Sequence, residues 1–300
     1  MSPMEVATPP ITATLAEWSQ SFDHRICAYF DAVTDAPPEL VRAMRHTLLA
    51  PGKRIRPFLT ERCFRLAGGE GDAILPVCMA VECLHAFTLI HDDLPAIDDA
   101  DVRRGRPCNH KVFGEGLAIL AGDALLAFGL ELVSRTERSA AQVVRMVQTL
   151  TRAIGPSGVI GGEAMDIIGE DRPGDLKLAS YIHERKTASL FRACCECGAI
   201  AAAADERVFN NFSAYGFHLG LAFQIADDLL DATASTEETG KTSGGDAQKR
   251  KQSYPAIVGV EESQRRGEQA VTRAIAALDD FGTEADELRS IAHFVMSRQR

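Results

Sequence analysis

No stretch of about 18 uninterrupted apolar residues occurs in the 300-residue sequence, so no segment reads as a membrane span. The N-terminal Met1–Thr14 lacks the basic start and apolar run of a secretory signal, and it is not the Arg-rich amphipathic kind that targets organelles. Rich in Pro and Thr, it reads as a loose tail. Period-two alternation over a strand's length is nearly absent, which excludes a sheet architecture. No linker divides the chain and no short-period repeat runs through it. The eight cysteines offer no second CxxC and no His pair to complete a zinc set. Cys194, Cys195 and Cys197, in the run RACCECGAIAAAA, read instead as small apolar thiols packed between helices. A cationic excess is lacking too: the net charge of −10 argues against a nucleic-acid partner. The expectation is a tail over 1–14 followed by one cytoplasmic, all-α domain over 15–300.

What is present fits a large helical bundle. At 46% hydrophobic content the chain can bury a sizeable core. Apolar residues recur at three- and four-residue spacing in LPVCMAVECLHAFTLI, LAILAGDALLAFGLELV and SAAQVVRMVQTLTRAI. Turn signals punctuate them at Gly68-Gly69, Pro95, Gly155-Pro156, Pro173-Gly174 and Ser243-Gly244-Gly245. The segments 75–91 and 214–230 are apolar on most faces and should lie at the centre of the bundle.

These two central segments end alike. Thr88-Leu-Ile-His-Asp-Asp-Leu94 and Phe223-Gln-Ile-Ala-Asp-Asp-Leu229 each finish an apolar helix with two aspartates, and a further aspartate follows, Asp98 or Asp231. Asp227 and Asp231 are four apart, about 40° around a helix, so they share a face. Asp92 and Asp98 would be about 120° apart on a continuous helix, but Pro95 should end it and let the loop swing Asp98 back. Paired carboxylates at a buried helix end repel each other and lose hydration. A hard cation such as Mg²⁺, which takes one or two carboxylates plus phosphate oxygens, removes that cost. A water-facing acidic helix end accounts for one such pair less awkwardly than for two. Cations lie close by: Lys53, Arg54 and Arg56 in PGKRIRP, and Arg103, Arg104 and Arg106 in DVRRGRP, whose guanidinium groups suit phosphate. Acid and base alternating this closely suit metal-bridged polyphosphate.

From Lys53 to Pro255 these motifs resemble the trans-isoprenyl diphosphate synthase family, which includes farnesyl and geranylgeranyl diphosphate synthases. HDDLPAIDDADVRRGRP resembles the first aspartate-rich motif in its bacterial form and FQIADDLLD the second. PGKRIRP, HERKTASL and GKTSGGDAQKRKQSYP accompany them. The resemblance implies the isoprenoid-synthase type of helical bundle and a homodimer. It implies that Asp92 and Asp98 hold two Mg²⁺ ions and Asp227 a third, supported by Asp93 and Asp231, with Mn²⁺ able to substitute. Arg103, Lys186 and Lys241 would contact the allylic diphosphate, with Lys251 also in the substrate site. Lys53, Arg56, His85 and Arg104 would form the isopentenyl diphosphate pocket. Thr187, Gln224 and the Lys186 carbonyl would stabilise a carbocation. Phe87, five residues before Asp92, resembles the aromatic floor of farnesyl-making members.

The sequence departs from the family pattern in places. Pro51 stands where a glycine is usual, Arg250-Lys-Gln-Ser-Tyr-Pro255 replaces a GKSTYP-like end, and Glu163 in Gly161-Gly-Glu-Ala-Met-Asp166 puts a carboxylate where an amide is usual. Two other readings share part of the pattern, a class I terpene cyclase and a non-catalytic helical partner subunit. The second basic element argues against the cyclase, and retention of both aspartate motifs argues against the subunit.

Overall fold

The computed structural model describes residues 10–31, 33, 35–170, 172–233 and 252–297. Its helices, in chain order, are α1 (Ile11–Asp31), α2 (Pro38–Leu48), α3 (Ile55–Leu66) and α4 (Leu75–Asp92). Then follow α5 (Asn109–Phe113), α6 (Glu115–Ser134), α7 (Ala140–Ile154), α8 (Val159–Gly169) and α9 (Leu176–Ile182). A π-helical segment, His183–Ala188, joins α9 to α10 (Ser189–Ala201), and α11 (Glu206–Thr233) completes the central set. The last are α12 (Tyr254–Val258), α13 (Val260–Ala276) and α14 (Asp286–Ser297). Helix begins at Ile11, so the last residues of the expected tail are already in α1.

Local chemistry sets the boundaries. Pro76 opens α4, where its missing N–H is no loss. At the end of α3, Gly68 takes φ +87° and the Gly69 N–H reaches back to the Phe64 carbonyl at 2.9 Å. Ser139 and Gln142 cap the start of α7 reciprocally. Helix α4 stops at Asp92, three residues before Pro95, and the Asp98 N–H donates to the Asp92 carbonyl at 2.8 Å. The loop thus returns towards the helix end as the proline implied.

The core forms around α4 and α10. Helix α4 packs against α3 and α6, and α10 lies against α3, α7 and α11, while α13 covers the other flank of α11. Val77, Met79, Val81, Leu84 and Ile90 show that most faces of α4 are buried. Cys194, Cys195 and Cys197 are buried in α10, and burial pushes their thiols up. Uninterrupted apolar runs are absent, yet α4 and α6 are on average apolar and long enough to cross a membrane, with mean hydropathies of 1.2 and 1.8. In α4 that character is explained by burial in the bundle. Only 39% of the α6 window is buried, and Ile119 and Leu120 are exposed on it.

Among the described residues one two-stranded hairpin interrupts the helices, with Val102–Arg103 paired antiparallel to Arg106–Pro107. Arg104 and Gly105 form its turn with φ +52° and +73°, the left-handed pair that suits a two-residue hairpin.

Candidate active site

A cavity of about 500 Å³ opens where the start of α3, the ends of α4 and α11, the hairpin and the π segment meet. Asp92 from α4 and Asp227 from α11 both line it. Burial pushes the Asp92 carboxyl up to about 7, and the Glu163 and Asp98 charges add to the push while Lys186 and Arg103 oppose it. Among the described residues no three His, Cys, Asp or Glu side chains converge into a metal centre of their own. Mg²⁺ needs fewer protein ligands than that when phosphate supplies the rest. An all-oxygen donor set with Asp92 under negative pressure fits such an ion.

The opposite wall is basic. Lys53, Arg56, His85 and Arg104 line the cavity together. His85 Nε2 accepts from Arg56 Nη1 and Arg104 Nη2, each at 3.3 Å, which leaves its ring proton on Nδ1. Burial, then Arg56 and Arg104, hold His85 well below its usual range, so it is neutral. The Arg56 guanidinium lies over Phe191 at 4.5 Å and Phe223 at 5.7 Å, and Lys53 Nζ lies 5.1 Å from the Phe294 ring. Arg54 also lines the cavity, but carboxylates engage its guanidinium. With φ +48° it binds Glu82 at 2.6 Å and Asp23 at 2.7 Å, tying α1 to α4 at the cavity wall.

The π segment presents Lys186 and Thr187. It is clasped closely: a Cβ on Gly162 would meet the Lys186 nitrogen at 2.4 Å, and one on Gly220 would meet the Ala188 Cα at 2.5 Å. Only glycine allows α8 and α11 this near. Lys186 Nζ sits between Glu163 at 2.6 Å and Asp166 at 2.7 Å. Burial works against its charge, but Asp166, Glu163 and Asp92 outweigh burial and hold the ammonium well above its usual range. Thr187 Oγ1 donates to Gln224 Oε1 at 2.5 Å, and Gln224 Nε2 donates to Asp228 Oδ1 at 3.0 Å.

Other sequence candidates lie elsewhere. Asp93 is buried and bound to Arg103, with contacts of 2.6 and 2.7 Å to one oxygen; it is Arg103 that lines the cavity. Asp98 and Asp231 are not in the cavity lining. Phe87 is buried but also outside the lining, its ring edge-on to His91 at 5.3 Å. Lys241 and Lys251 fall outside the described residues. Sequence reasoning missed Asp166, His183 and Asp228 as partners of site residues, and Phe294, which the C-terminal helix brings to Lys53. Asp228 stood within the second motif and Asp166 within the Gly161–Asp166 segment. Nothing in the sequence marked Phe294.

Comparison with known proteins places the chain in a family. The polyprenyl synthetase family model matches residues 37–292, and the chain belongs to that family of prenyltransferases. It is 36% identical to a farnesyl diphosphate synthase of Bacillus subtilis (strain 168), over 97% of this chain and 99% of that one. It is 40% identical to the chloroplastic geranylgeranyl pyrophosphate synthase 7 of Arabidopsis thaliana, over 88% and 77% of the respective chains. The fold matches an FPP/GFPP synthase from Zymomonas mobilis with a TM-score of 0.83 at 35% identity, covering 96% of this chain and 99% of that one. A Helicobacter pylori geranyltransferase solved with magnesium and isoprenyl diphosphate gives 0.82 at 29% identity, covering 97% and 98%. The fold is therefore the all-helical one of isoprenyl synthases.

Proposed function

We propose that the chain condenses isopentenyl diphosphate head to tail with dimethylallyl and geranyl diphosphates, giving farnesyl diphosphate as its main product. The observation that carries this reading is a single cavity with Asp92 and Asp227 on acidic walls and Lys53, Arg56, His85 and Arg104 on a basic one. Two diphosphates need two different environments, one bridged by metal and one held by side chains.

Bound at Asp92, Asp98 and Asp227, Mg²⁺ would neutralise the allylic diphosphate as it leaves. Arg103 and Lys186 bind the same group from the protein side. Lys53, Arg56 and Arg104 grip the isopentenyl diphosphate, and neutral His85 orients the two arginines. The allylic C–O bond breaks with its electron pair going to the diphosphate. The isopentenyl double bond attacks the cation, and loss of a proton to the departed diphosphate forms the new double bond. Thr187, Gln224 and the Lys186 carbonyl face the charge in a pocket kept dry by Leu89, Val159 and Leu190.

A second reading, geranylgeranyl diphosphate, is favoured by Phe87. Its ring lies against His91, which itself packs over Gly122 of α6, and it is not part of the cavity lining. Incubation with Mg²⁺, isopentenyl diphosphate and each allylic primer, followed by chromatography of dephosphorylated products, tests both. Farnesol is expected from the parent and longer alcohols from Phe87→Ala. An unchanged profile in a folded Phe87→Ala protein would remove that ring as the determinant of length. A homodimer through the exposed apolar face of α6, at Ile119 and Leu120, completes the proposal. Light scattering at assay concentration measures it, and a monomer there would refute it.

A further inference from the structure

Three donors converge on the buried carboxylate of Asp228. Gln224 Nε2 approaches Oδ1 at 3.0 Å, and the Tyr254 backbone N–H and His183 Nε2 approach Oδ2 at 3.0 and 3.1 Å. The His183 ring also packs on Tyr254, with centroids 4.7 Å apart. Asp228 is not in the cavity lining, whereas its neighbour Asp227 and its relay partners Gln224 and Thr187 are.

With donors approaching both of its oxygens, the Asp228 carboxylate acts as acceptor and fixes which end of the Gln224 amide faces it. The NH₂ must turn to Asp228, which leaves Oε1 to face Thr187. Thr187 then has to spend its one hydroxyl hydrogen on Gln224, 2.5 Å away. What the hydroxyl has left for the cavity is lone pairs. Negative dipole ends stabilise a nearby cation, whereas a hydroxyl hydrogen pointing the other way would repel it.

We infer that Asp228 is a positioning residue, not a metal ligand: it sets the direction of the Asp228–Gln224–Thr187 relay so that Thr187 presents oxygen lone pairs to the reacting centre. The inference rests on the prenyltransferase reading and deepens it. It gives the second aspartate of the second motif a task different from that of the first. The same carboxylate ties α11 to the π segment through His183 and to the start of α12 through Tyr254.

Asp228→Asn inverts the relay while keeping its shape. Two donors still require an acceptor at Oδ2, so the new NH₂ faces Gln224. The Gln224 amide must flip to accept from it, which puts the Gln224 NH₂ against Thr187 and frees the threonine hydrogen for the cavity. The experiment is steady-state kinetics with Mg²⁺, isopentenyl diphosphate and geranyl diphosphate on the parent chain, Asp228→Asn, Thr187→Val, Gln224→Met and the double variants. Asp228→Asn should lower kcat about a hundredfold, with both KM values and the Mg²⁺ requirement within about threefold of the parent. In the Thr187→Val background, where no hydroxyl remains to be reversed, the same change should cost about threefold or less. If Asp228→Asn does not fold, Gln224→Met cuts the relay with Asp228 intact; its kcat should fall, and adding Thr187→Val should lower it little further. Full additivity with Thr187→Val, a raised Mg²⁺ requirement, or an unchanged kcat would each overturn the role of Asp228. Absence of turnover in the parent chain would instead overturn the prenyltransferase reading itself.

Discussion

The two aspartate pairs at the ends of α4 and α11 divide their labour in the same way and to different ends. In each, the first member, Asp92 or Asp227, lines the cavity, and the second turns to a partner. Asp93 takes Arg103, a cation that itself lines the cavity. Asp228 takes three donors and no lysine or arginine: the Gln224 amide, the His183 ring and the Tyr254 N–H. One pair therefore places a charge and the other places a dipole, although both read Asp-Asp-Leu in sequence. Adjacent residues on a helix differ by about 100°, which lets the two members of each pair take different partners.

The comparison can be broken most severely at the cavity-facing members. Asp92→Ala and Asp227→Ala should each lower turnover about a thousandfold or more, through loss of leaving-group stabilisation. Near-normal turnover in either, with a chelator present, would dispose of the metal reading. A smaller loss is expected at Asp93→Asn. Arg103 loses its anchoring charge, so KM for the allylic diphosphate should rise about tenfold with a lesser change in kcat. A raised Mg²⁺ requirement without that KM effect would make Asp93 a ligand after all.

Glu163→Gln probes the cation that both carboxylates of α8 hold. One of two anionic partners of Lys186 becomes neutral, which frees the ammonium for a diphosphate and relieves Asp92. Activity should stay within about threefold of the parent or improve. Abolished activity would show that Glu163 has a role of its own.

The smallest effect concerns His85 and stability. The folded state keeps it neutral well below its unfolded value of 6.5, so the unfolded chain gains the proton first as pH falls. The His85 contribution is full above pH 6.5 and is lost below it, at a slope of at most about 1.4 kcal/mol per pH unit. Urea unfolding of the parent and His85→Gln at pH 7.5 and 5.5 measures the difference. Parallel pH dependence in the two proteins would mean that burial and its arginines do not hold His85 neutral in the folded state.

Much of this was legible because it depends on short-range pattern. Pro95 ended α4 and returned Asp98 to its end, and the seven-residue spacing of His85 and Asp92 put both on the cavity side. Helical periodicity located α4 at the centre, but it named α11 where α10 is the more fully buried. The basic runs were readable as composition but not as individual directions. Arg54 looked the same as Arg56 in sequence, and its engagement by Glu82 and Asp23, 28 and 31 residues away, was not visible there. Partners far apart along the chain were similarly invisible: Lys53 meets Phe294, and Gln252 ties the entry to α12 to the carbonyls of Gly169 and Arg172. Phe87 shows the limit of reading a side chain by spacing. Its rotation of about 140° from Asp92 sends the ring to His91.

The π segment has a consequence for what this sequence can tolerate. Compared with an α-helical path, a single wide turn accommodates one surplus residue, and that surplus offsets by about 100° everything that follows it. Helices α9 and α10 are thus two phases of one rod, free to match different neighbours, with Lys186 and Thr187 at the phase boundary. Point substitutions there alter a group, but loss of one residue would alter the phase itself. The thiols and Phe191 of α10 would rotate out of the core together with the change at the active site. Gaps in this stretch should therefore be far scarcer among functional variants than replacements.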